Sequence, residues 1–329
     1  MSFLLRIIRV FPPEMAHSFS LHFLKILNFF GLLKFFAPKQ DNFGPIFFAG
    51  LEFNNRLGVA AGLDKNGDFI DALGSLGFGF IEVGTVTPKA QKGNAKPRVF
   101  RNYSENSIIN RLGFNNKGVE YLLKNLKKRK YSGIVGVNVG ANKSSTGNER
   151  INDYLKCIEK VIDYSDYITV NISSPNTPNL RDLHQKENLE VLIKAIDNQI
   201  HELEHSKPIF LKISPDESNE NLNIIIELVS QSKITGLIAT NTTIDKVNLT
   251  NKKFISIDGG LSGEPLMQKS TEKLSYIKSM SQDMPLIAVG GVISKEDYLK
   301  KLQSGASLVQ IYTGFIIKGP NLIRRILQG

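Results

Sequence analysis

The chain has one cysteine among its 329 residues, and this shortage limits its chemistry. Cys157 has no second thiol to pair with inside the chain, so an internal disulfide and a thiolate metal cluster are both excluded. The N-terminal segment also lacks the small-residue cleavage site that follows the apolar run of a signal peptide. We therefore expect a protein of the reducing cytosol.

Long apolar runs are also missing, and a membrane span needs ~20 largely apolar residues. Residues 1–40 come nearest, but polar residues interrupt them: Ser20, His22, Lys25 and Asn28. Apolar residues recur there at helical spacing: Phe19, Phe23, Ile26, Leu27, Phe30 and Leu33. The pattern predicts an amphipathic helix from Pro12-Pro13, a break at Gly31 and a second short helix ending at Pro38. This pair either lies in a membrane surface or packs on the main domain.

Acidic residues are fewer than basic ones, 31 against 41, which gives a formal net charge of +10. A nucleic-acid-binding protein would cluster its basic residues among aromatic ones. Here they are scattered, apart from the run at 124–130 on a predicted helix, so we expect no nucleic-acid partner. Five basic residues precede residue 41, against Glu14 alone: Arg6, Arg9, Lys25, Lys34 and Lys39. Attraction to an anionic lipid surface is the expected use of the charge.

Eight short apolar segments alternate with helical patterns after residue 41. They span 56–62, 79–84, 134–140, 167–173, 208–214, 236–242, 285–291 and 307–313. Continuous Val, Ile and Leu runs are typical of parallel strands buried on both faces. Eight such strands close a barrel. We predict a single (β/α)8 TIM barrel in residues 41–329, with an N-terminal amphipathic helical extension in residues 1–40. A small hairpin at 47–53, with its turn around Asn54-Asn55, is predicted to lead into the barrel.

Each predicted strand ends in a polar residue or a glycine. These are Gly62, Gly84, Asn138, Asn171, Lys212, Asn241, Gly291 and Tyr312. The carboxyl ends of barrel strands meet at one rim, so these residues are expected to face one pocket. Asparagine is disfavoured inside strands, and three at the same level indicate a shared ligand rather than three separate turn caps.

The pocket is predicted to hold a phosphorylated cofactor with a flat polar ring. Glycine-rich backbone follows the last three strands, at 261–263, 290–291 and 312–314, where barrels commonly bind phosphate. Lys65 and Lys212 at the rim each need an anion. A Schiff-base lysine is one possibility and a flavin is another. Asparagine amides, including Asn110, complement a pyrimidine-like ring and favour the flavin.

Several motifs occur in an order that closely resembles the dihydroorotate dehydrogenase family. They are GVAAGLDKNG, IEVGTVTPKAQKGNAKPRVFR, INRLGFNN, VNVGANK, VNISSPNTPNLRDL, ATNTT, GGLSG, AVGGV and LVQIYTGFIIKGP. The resemblance runs from about residue 5 to the end and is greatest to the quinone-dependent, membrane-associated class. It implies FMN-dependent oxidation of dihydroorotate to orotate in pyrimidine synthesis, with a membrane quinone as final acceptor. It also implies a bacterial protein bound peripherally to the cytoplasmic side of the inner membrane.

The resemblance assigns roles to single residues. Ser174 would be the base that removes the C5 proton, with Thr177 as relay partner and Phe114 as shield. The cytosolic class has cysteine at this position, which makes Ser174 the sharpest class discriminator. Serine is a weak base unless its proton can leave, so a relay is required. The loop at 173–185 is predicted to close over the substrate.

The resemblance also implies the binding residues. Substrate would contact Lys65, Asn110, Arg111, Leu112, Gly113, Phe114, Asn171, Asn176, Asn241 and Thr242. The flavin would contact Ala61, Gly62, Leu63, Asp64, Lys65, Thr85, Asn138, Asn171, Lys212, Thr240, Gly263, Gly291, Tyr312 and Thr313. The quinone tunnel beneath the N-terminal helices would be lined by His17 and Arg101.

Three other interpretations remain open. A fumarate- or NAD-linked relative is disfavoured by Ser174 and by the apolar extension. A non-catalytic, membrane-associated flavin-binding barrel would keep the pocket without the chemistry. The segment 201–205 also satisfies H-E-x-x-H, a zinc-protease pattern, but it lies at the amino-terminal face of the predicted barrel. We therefore expect no metal.

Overall fold

The structure is a computed structural model that describes residues 10–38, 44–177 and 180–328. Its strands are β1 (Ile46–Phe48), β2 (Leu51–Phe53), β3 (Leu57–Val59), β4 (Phe80–Val86), β5 (Val99–Asn102), β6 (Ser107–Asn110), β7 (Ile134–Val139), β8 (Tyr167–Asn171), β9 (Ile209–Ile213), β10 (Gly236–Ala239), β11 (Gly260–Gly263), β12 (Leu286–Val289) and β13 (Leu308–Ile311). Its helices are α1 (Pro13–Phe29), α2 (Ile70–Gly74), α3 (Val119–Lys128), α4 (Gly147–Val161), α5 (Lys186–Glu202), α6 (Asn219–Ser230), α7 (Lys252–Ile255), α8 (Met267–Met280), α9 (Lys295–Gln303), α10 (Thr313–Lys318) and α11 (Asn321–Gln328).

Eight strands form a closed parallel barrel, as predicted. The order around it is β3, β4, β7, β8, β9, β10, β12 and β13, and β13 pairs with β3 to close the ring. Seven of the eight predicted segments contain a whole barrel strand, and the eighth, 79–84, overlaps β4, which runs on to Val86. β8 and β9 are buried along their whole length, which agrees with their continuous apolar runs because helices cover the outer face.

The amino-terminal end of the barrel is closed by the hairpin of β1 and β2. Phe53 packs edge-on against Phe80 at the start of β4, with ring centroids 5.3 Å apart, and Phe48 stacks on Phe210 of β9 at 5.9 Å. The predicted turn around Asn54-Asn55 is wrong. The hairpin turns at Ala49-Gly50, where both residues have positive φ, as a type I′ hairpin turn requires.

Three further strands were not predicted. β11, β6 and β5 form a small antiparallel sheet beside the barrel rim. Each has only four residues, and the glycines of β11 resemble a turn in the sequence. This sheet holds Asn110 and Gly263 at the rim, so it brings predicted site residues from outside the barrel strands to the same place.

Helix α1 begins at Pro13 as predicted, and Gly31 ends the segment with a φ of +68°. The predicted second helix is shorter than expected, a single 3-10 turn at Leu33–Phe35. Several aromatic and aliphatic side chains here remain exposed: Phe19, Ile26, Phe29, Phe30 and Phe35. Among the described helices, none is both long and apolar enough to cross a bilayer. Arg6, Arg9 and Lys39 lie outside the described residues, as do the ends of the predicted 1–40 extension.

The H-E-x-x-H segment does not lie on one helix. α5 ends at Glu202, so His201 and His205 are not on successive turns of a continuous helix. His205 Nε2 instead contacts Asp163 Oδ1 at 2.9 Å. The described ranges contain no group of three or more histidine, cysteine or acidic residues that could hold a metal ion.

Candidate active site

A cavity opens at the carboxyl ends of the barrel strands, and most of the predicted site residues line it. From the predicted set, the lining contains Ala61, Gly62, Lys65, Thr85, Asn110, Leu112, Gly113, Phe114, Asn171, Ser174, Asn176, Lys212, Thr240, Asn241, Thr242, Gly263, Gly291, Tyr312 and Thr313. Ser262, Gly290 and Gly314, from the predicted glycine-rich segments, also line it, and unpredicted lining comes from Ala60, Leu266, Val289, Val292, Gln310 and Ile311. We call this cavity the rim pocket. Its position agrees with the location of barrel active sites.

A web of side-chain amides forms one side of the rim pocket. Asn171 Nδ2 donates to Thr85 Oγ1 at 3.0 Å and to Asn138 Oδ1 at 3.2 Å, while Asn171 Oδ1 accepts from Asn241 Nδ2 at 3.3 Å. Across the pocket, Asn176 Nδ2 donates to Asn110 Oδ1 at 3.3 Å. These mutual bonds fix which end of each amide is donor and which is acceptor, so the pocket has a set polarity before a ligand binds.

Glu82, which the sequence interpretation overlooked, supports this web from inside the barrel. It is fully buried on β4 and accepts from Asn138 Nδ2 at 2.8 Å, Tyr167 Oη at 3.0 Å and Gln310 Nε2 at 2.7 Å. A buried carboxylate is costly unless such donors satisfy it. A glutamate in an otherwise apolar buried strand was the available signal. Asn138 itself does not line the rim pocket, because its side chain joins Glu82 to Asn171.

Ser174 lies three residues beyond β8 and is buried on the pocket wall. Its Oγ accepts a hydrogen bond from the backbone N–H of Asn176 at 3.3 Å, which leaves the hydroxyl proton free of that contact. Thr177 is buried but is not a lining residue, and among the described residues no hydrogen bond joins the two hydroxyls. The relay through Thr177 stays a prediction. Positions 178–179 of the predicted lid are outside the described residues.

Two lysines bring positive charge to the rim pocket. Burial lowers the pKa of Lys65 to about 7; the positive charge of Arg98 acts in the same direction and Glu14 acts against it. Lys65 Nζ donates to Asn115 Oδ1. Burial also lowers the pKa of Lys212, which is 5% exposed, while the charge of Glu82 opposes that shift. An anionic ligand would stabilise both ammonium groups.

Glycine backbone forms the opposite side of the rim pocket. Gly263 and Gly291 have φ of +98° and +87°, and a Cβ at either would lie 2.2 Å from another main-chain atom. Neither position admits a side chain, because the backbone of Asn106 or Met267 is too close, so only main-chain groups of Gly263 and Gly291 face the pocket. Thr313 Oγ1 donates to Ser262 Oγ at 2.8 Å.

A second unpredicted charge lies behind this glycine backbone. Lys301 is fully buried, and its Nζ donates to Ser270 Oγ at 2.6 Å; that oxygen in turn lies 3.1 Å from the carbonyl oxygen of Gly290. Burial lowers the pKa of Lys301 to about 7. This burial could not be predicted, because a Lys300-Lys301 pair on a helix is typical of a solvated face.

Three more predicted contact residues do not line the rim pocket. Asp64 accepts from the backbone N–H groups of Asp68 and Phe69 at 3.0 and 2.7 Å, so it orders the turn before α2. Burial raises its pKa to about 6. Leu63 is buried and offers its carbonyl to His17. The Arg111 side chain donates to the Pro97 carbonyl at 3.0 Å and is partly exposed.

A second, larger cavity of about 1050 Å³ lies between α1, the Leu33–Phe35 turn and the barrel. We call it the helix cavity. Its lining is mainly apolar and includes both residues predicted for a quinone tunnel, His17 and Arg101. The two cavities share wall residues, namely Gly62, Lys65, Leu112 and Tyr312. An apolar compound in the helix cavity would therefore lie next to a polar ligand in the rim pocket.

His17 is neutral in this setting. Its pKa is lowered to about 4, mainly by burial, and the nearby Lys65 charge acts in the same direction. Its Nε2 lies 2.9 Å from the carbonyl oxygen of Leu63, which can only accept, so Nε2 carries the proton and Nδ1 is an acceptor. Arg101 Nη2 donates to the carbonyl of Phe11 at 2.6 Å and so links β5 of the small antiparallel sheet to the segment before α1.

Comparisons with known proteins agree with this geometry. The family model described as Dihydroorotate dehydrogenase matches residues 46–329. A protein of Acinetobacter baylyi named Dihydroorotate dehydrogenase (quinone) is 47% identical over 322 residues, which cover 96% of this chain and 95% of the relative. A protein of the same name from Buchnera aphidicola is 46% identical over 329 residues, covering 98% and 97%. The crystal structure of the DHODH of Eimeria tenella in complex with ferulenol matches with a TM-score of 0.86 at 33% identity, covering 95% of this chain and 89% of that one.

Proposed function

The chain belongs to the dihydroorotate dehydrogenase family, and on that premise we propose that it oxidises dihydroorotate to orotate and passes the electrons to a membrane quinone. The single observation that carries this proposal is the shared wall between an amide-lined polar pocket and an apolar cavity. Dihydroorotate is a small anionic cyclic amide, which suits the rim pocket. A quinone is a flat apolar molecule, which suits the helix cavity.

The rim pocket fits FMN. Gln310 lines the pocket, and its Oε1 is buried with no hydrogen-bond partner among the described residues. A ring N–H of a bound ligand could donate to this unpaired acceptor. Gly263, Gly291 and Thr313 would hold the phosphate, and Lys212 would hold the electron-rich edge of the ring. When bound, FMN supplies the hydride acceptor and the route of electrons to the quinone.

The residues of the chain would orient dihydroorotate and remove its C5 proton. Asn110, Asn171, Asn176 and Asn241 offer amide donors and acceptors to the substrate ring, and Lys65 offers its ammonium to the carboxylate. Ser174 Oγ is the proposed base at C5, with its own proton leaving through Thr177 or a water. Phe114, 8% exposed, shields the reacting carbons from solvent.

We also propose that residues 1–40 form a membrane-facing extension and residues 41–329 the catalytic barrel. The exposed side chains of Phe19, Ile26, Phe29 and Phe30 support contact with lipid, and the net charge of +10 supports attraction to an anionic surface. The proposed location is the cytoplasmic side of a bacterial inner membrane, with the protein bound peripherally.

One spectroscopic experiment tests the function. The purified protein should show the absorbance of an oxidised flavin, and anaerobic dihydroorotate should bleach it. Addition of a quinone should then restore the colour. A colourless preparation that stays inactive after added FMN would refute the proposal, whereas efficient turnover with fumarate and none with quinone would favour the cytosolic class.

A further inference from the structure

We propose that the ion pair between Glu14 and Arg98 is a positioning device through which the N-terminal helix sets the affinity of the rim pocket for substrate. The pair lies 84 residues apart in sequence and joins α1 to the barrel. The inference rests on the proposed function, because it concerns how that same pocket binds orotate and dihydroorotate.

Arg98 connects two parts of the molecule at once. Its Nε and Nη2 donate to Glu14 Oε1 at 3.1 and 2.8 Å. Its Nη1 donates to the carbonyl oxygens of Lys92 and Asn94 at 2.6 and 2.9 Å. The residue is 6% exposed, so little water is available to replace any of these partners. A planar guanidinium fixes the angle between its donors, and holding Glu14 therefore fixes the loop at 92–94.

The loop at 92–94 lies directly on the substrate-binding segment. Asn94 Nδ2 donates to the carbonyl oxygens of Arg111 and Asn176 at 3.0 and 3.3 Å, and its backbone N–H donates to Leu112 at 3.1 Å. A Cβ at Gly93 would lie 2.3 Å from the Leu112 carbonyl oxygen, so the backbone of the loop packs directly against the backbone of the substrate-binding segment. A shift of Arg98 would therefore move Leu112 and Asn176, which line the rim pocket.

Charge gives the pair a second effect on the same pocket. Arg98 lowers the pKa of Lys65 and Glu14 raises it. Loss of the Glu14 carboxylate would leave the Arg98 charge uncompensated, and the Lys65 ammonium that is proposed to meet the substrate carboxylate would lose its proton more readily. Loss of the Glu14 carboxylate is thus expected to weaken orotate binding both through the geometry of the loop and through the charge of Lys65.

The test compares Glu14→Gln with Lys25→Met in the full-length, flavin-loaded protein. Both changes cut a link between α1 and the barrel, since Lys25 Nζ donates to the carbonyl of Asp68 at 3.0 Å, but that link does not lead to the 92–94 loop. Orotate affinity is measured by calorimetry, FMN content by absorbance, and the KM for dihydroorotate with a soluble dye acceptor that does not need the helix cavity.

Glu14→Gln is expected to weaken orotate binding about tenfold, which corresponds to about 1.4 kcal/mol. The KM for dihydroorotate should rise by about the same factor. The FMN content and the kcat with the dye should stay within about twofold of the parent. Lys25→Met should leave orotate affinity unchanged. Arg98→Lys keeps the charge but cannot make all four hydrogen bonds to Glu14, Lys92 and Asn94, so it should weaken orotate binding at least as much.

Two results would overturn the inference. One is unchanged orotate affinity in Glu14→Gln; the other is equal weakening in Lys25→Met, which would mean general loosening of the helix. Failure of the unaltered protein to bind orotate would instead refute the proposed function, so the two failures are distinguishable.

Discussion

The rim pocket and the helix cavity share four wall residues yet are built in different ways. The rim pocket is assembled from the ends of barrel strands, and its side chains are held by mutual hydrogen bonds such as those of Asn171. The helix cavity is assembled by laying one helix over the barrel, and the described polar links between them are few, among them Glu14 to Arg98 and His17 to Leu63. The difference indicates that the amide web of the polar site is preorganised by the barrel, and on our proposal α1 affects that site only through the Glu14–Arg98 pair. The apolar site, in contrast, depends on the extension for its walls.

The largest expected effect concerns the proposed base in the rim pocket. Ser174→Ala should slow anaerobic flavin reduction by dihydroorotate by about 10²- to 10⁴-fold, the usual contribution of a general base. Orotate affinity and FMN content should be retained, because the amide web is intact. Stopped-flow absorbance measures the rate. Ser165→Ala is the matched control, since Ser165 is also buried but does not line the pocket, and its Oγ donates to the carbonyl of Val161. A parent-like rate in Ser174→Ala would exclude it as the base.

Removal of residues 1–38 tests directly whether the two sites depend on the extension to different degrees. Quinone turnover should fall at least tenfold and vesicle binding should be lost, because α1 and the Leu33–Phe35 turn line the helix cavity. FMN should remain bound, since the described residues of this segment contribute nothing to the rim pocket. Turnover with quinone and with a soluble dye, and co-sedimentation with anionic vesicles, provide the measurements. Release of FMN on truncation would contradict the separation.

Replacement of the buried carboxylate tests whether the barrel interior preorganises the amide web. Glu82→Gln replaces one of two acceptor oxygens by an N–H₂ group where three donors converge, so at least one buried donor loses its acceptor. The free energy of unfolding should therefore fall by about 1–3 kcal/mol. Glu52→Gln, at an exposed position of β2, should change it by less than about 0.5 kcal/mol. Denaturant unfolding compares the two. Equal stabilities would show that Glu82 does not hold the web.

The smallest expected effect is the pH dependence of substrate binding through the shared wall. The pKa of Lys65 is about 7, so its ammonium loses its proton as the pH rises from 6 to 8, and orotate affinity should fall by up to about tenfold. At pH 8, binding of the carboxylate should draw a proton onto Lys65. Calorimetry in buffers of different ionisation enthalpy measures that uptake. Lys65→Met should abolish the uptake, and a pH-independent affinity would contradict the role of Lys65.

The barrel was predictable from sequence because buried parallel strands leave continuous apolar runs, as in β8 and β9. The predicted rim residues were found for the same reason, since strand ends converge in this fold. Asn138 shows the limit of that argument. The sequence places it at the rim, but its side chain is directed by Glu82, and the network around a buried carboxylate depends on β4, β7, β8 and β13 together.

Other parts of the site depend on contacts that no local pattern reports. The strands β5, β6 and β11 are short and antiparallel, so their alternation is too brief to separate from loop sequence. The pairing of Glu14 with Arg98 and the burial of Lys301 both arise from packing between distant segments. The resemblance in sequence supplied residue roles that spacing alone did not.

The partition between the two cavities has a pharmacological consequence. The wall shared by the two cavities has no side chain at Gly62, and a Cβ at that position would lie 3.4 Å from the Tyr312 ring. If each cavity binds its own ligand, as proposed, two different small molecules would occupy the protein at the same time, one on each side of this wall. An inhibitor bound in the helix cavity would prevent the quinone from reoxidising the proposed flavin, but it would not compete with dihydroorotate. Raising the dihydroorotate concentration would therefore not relieve the inhibition.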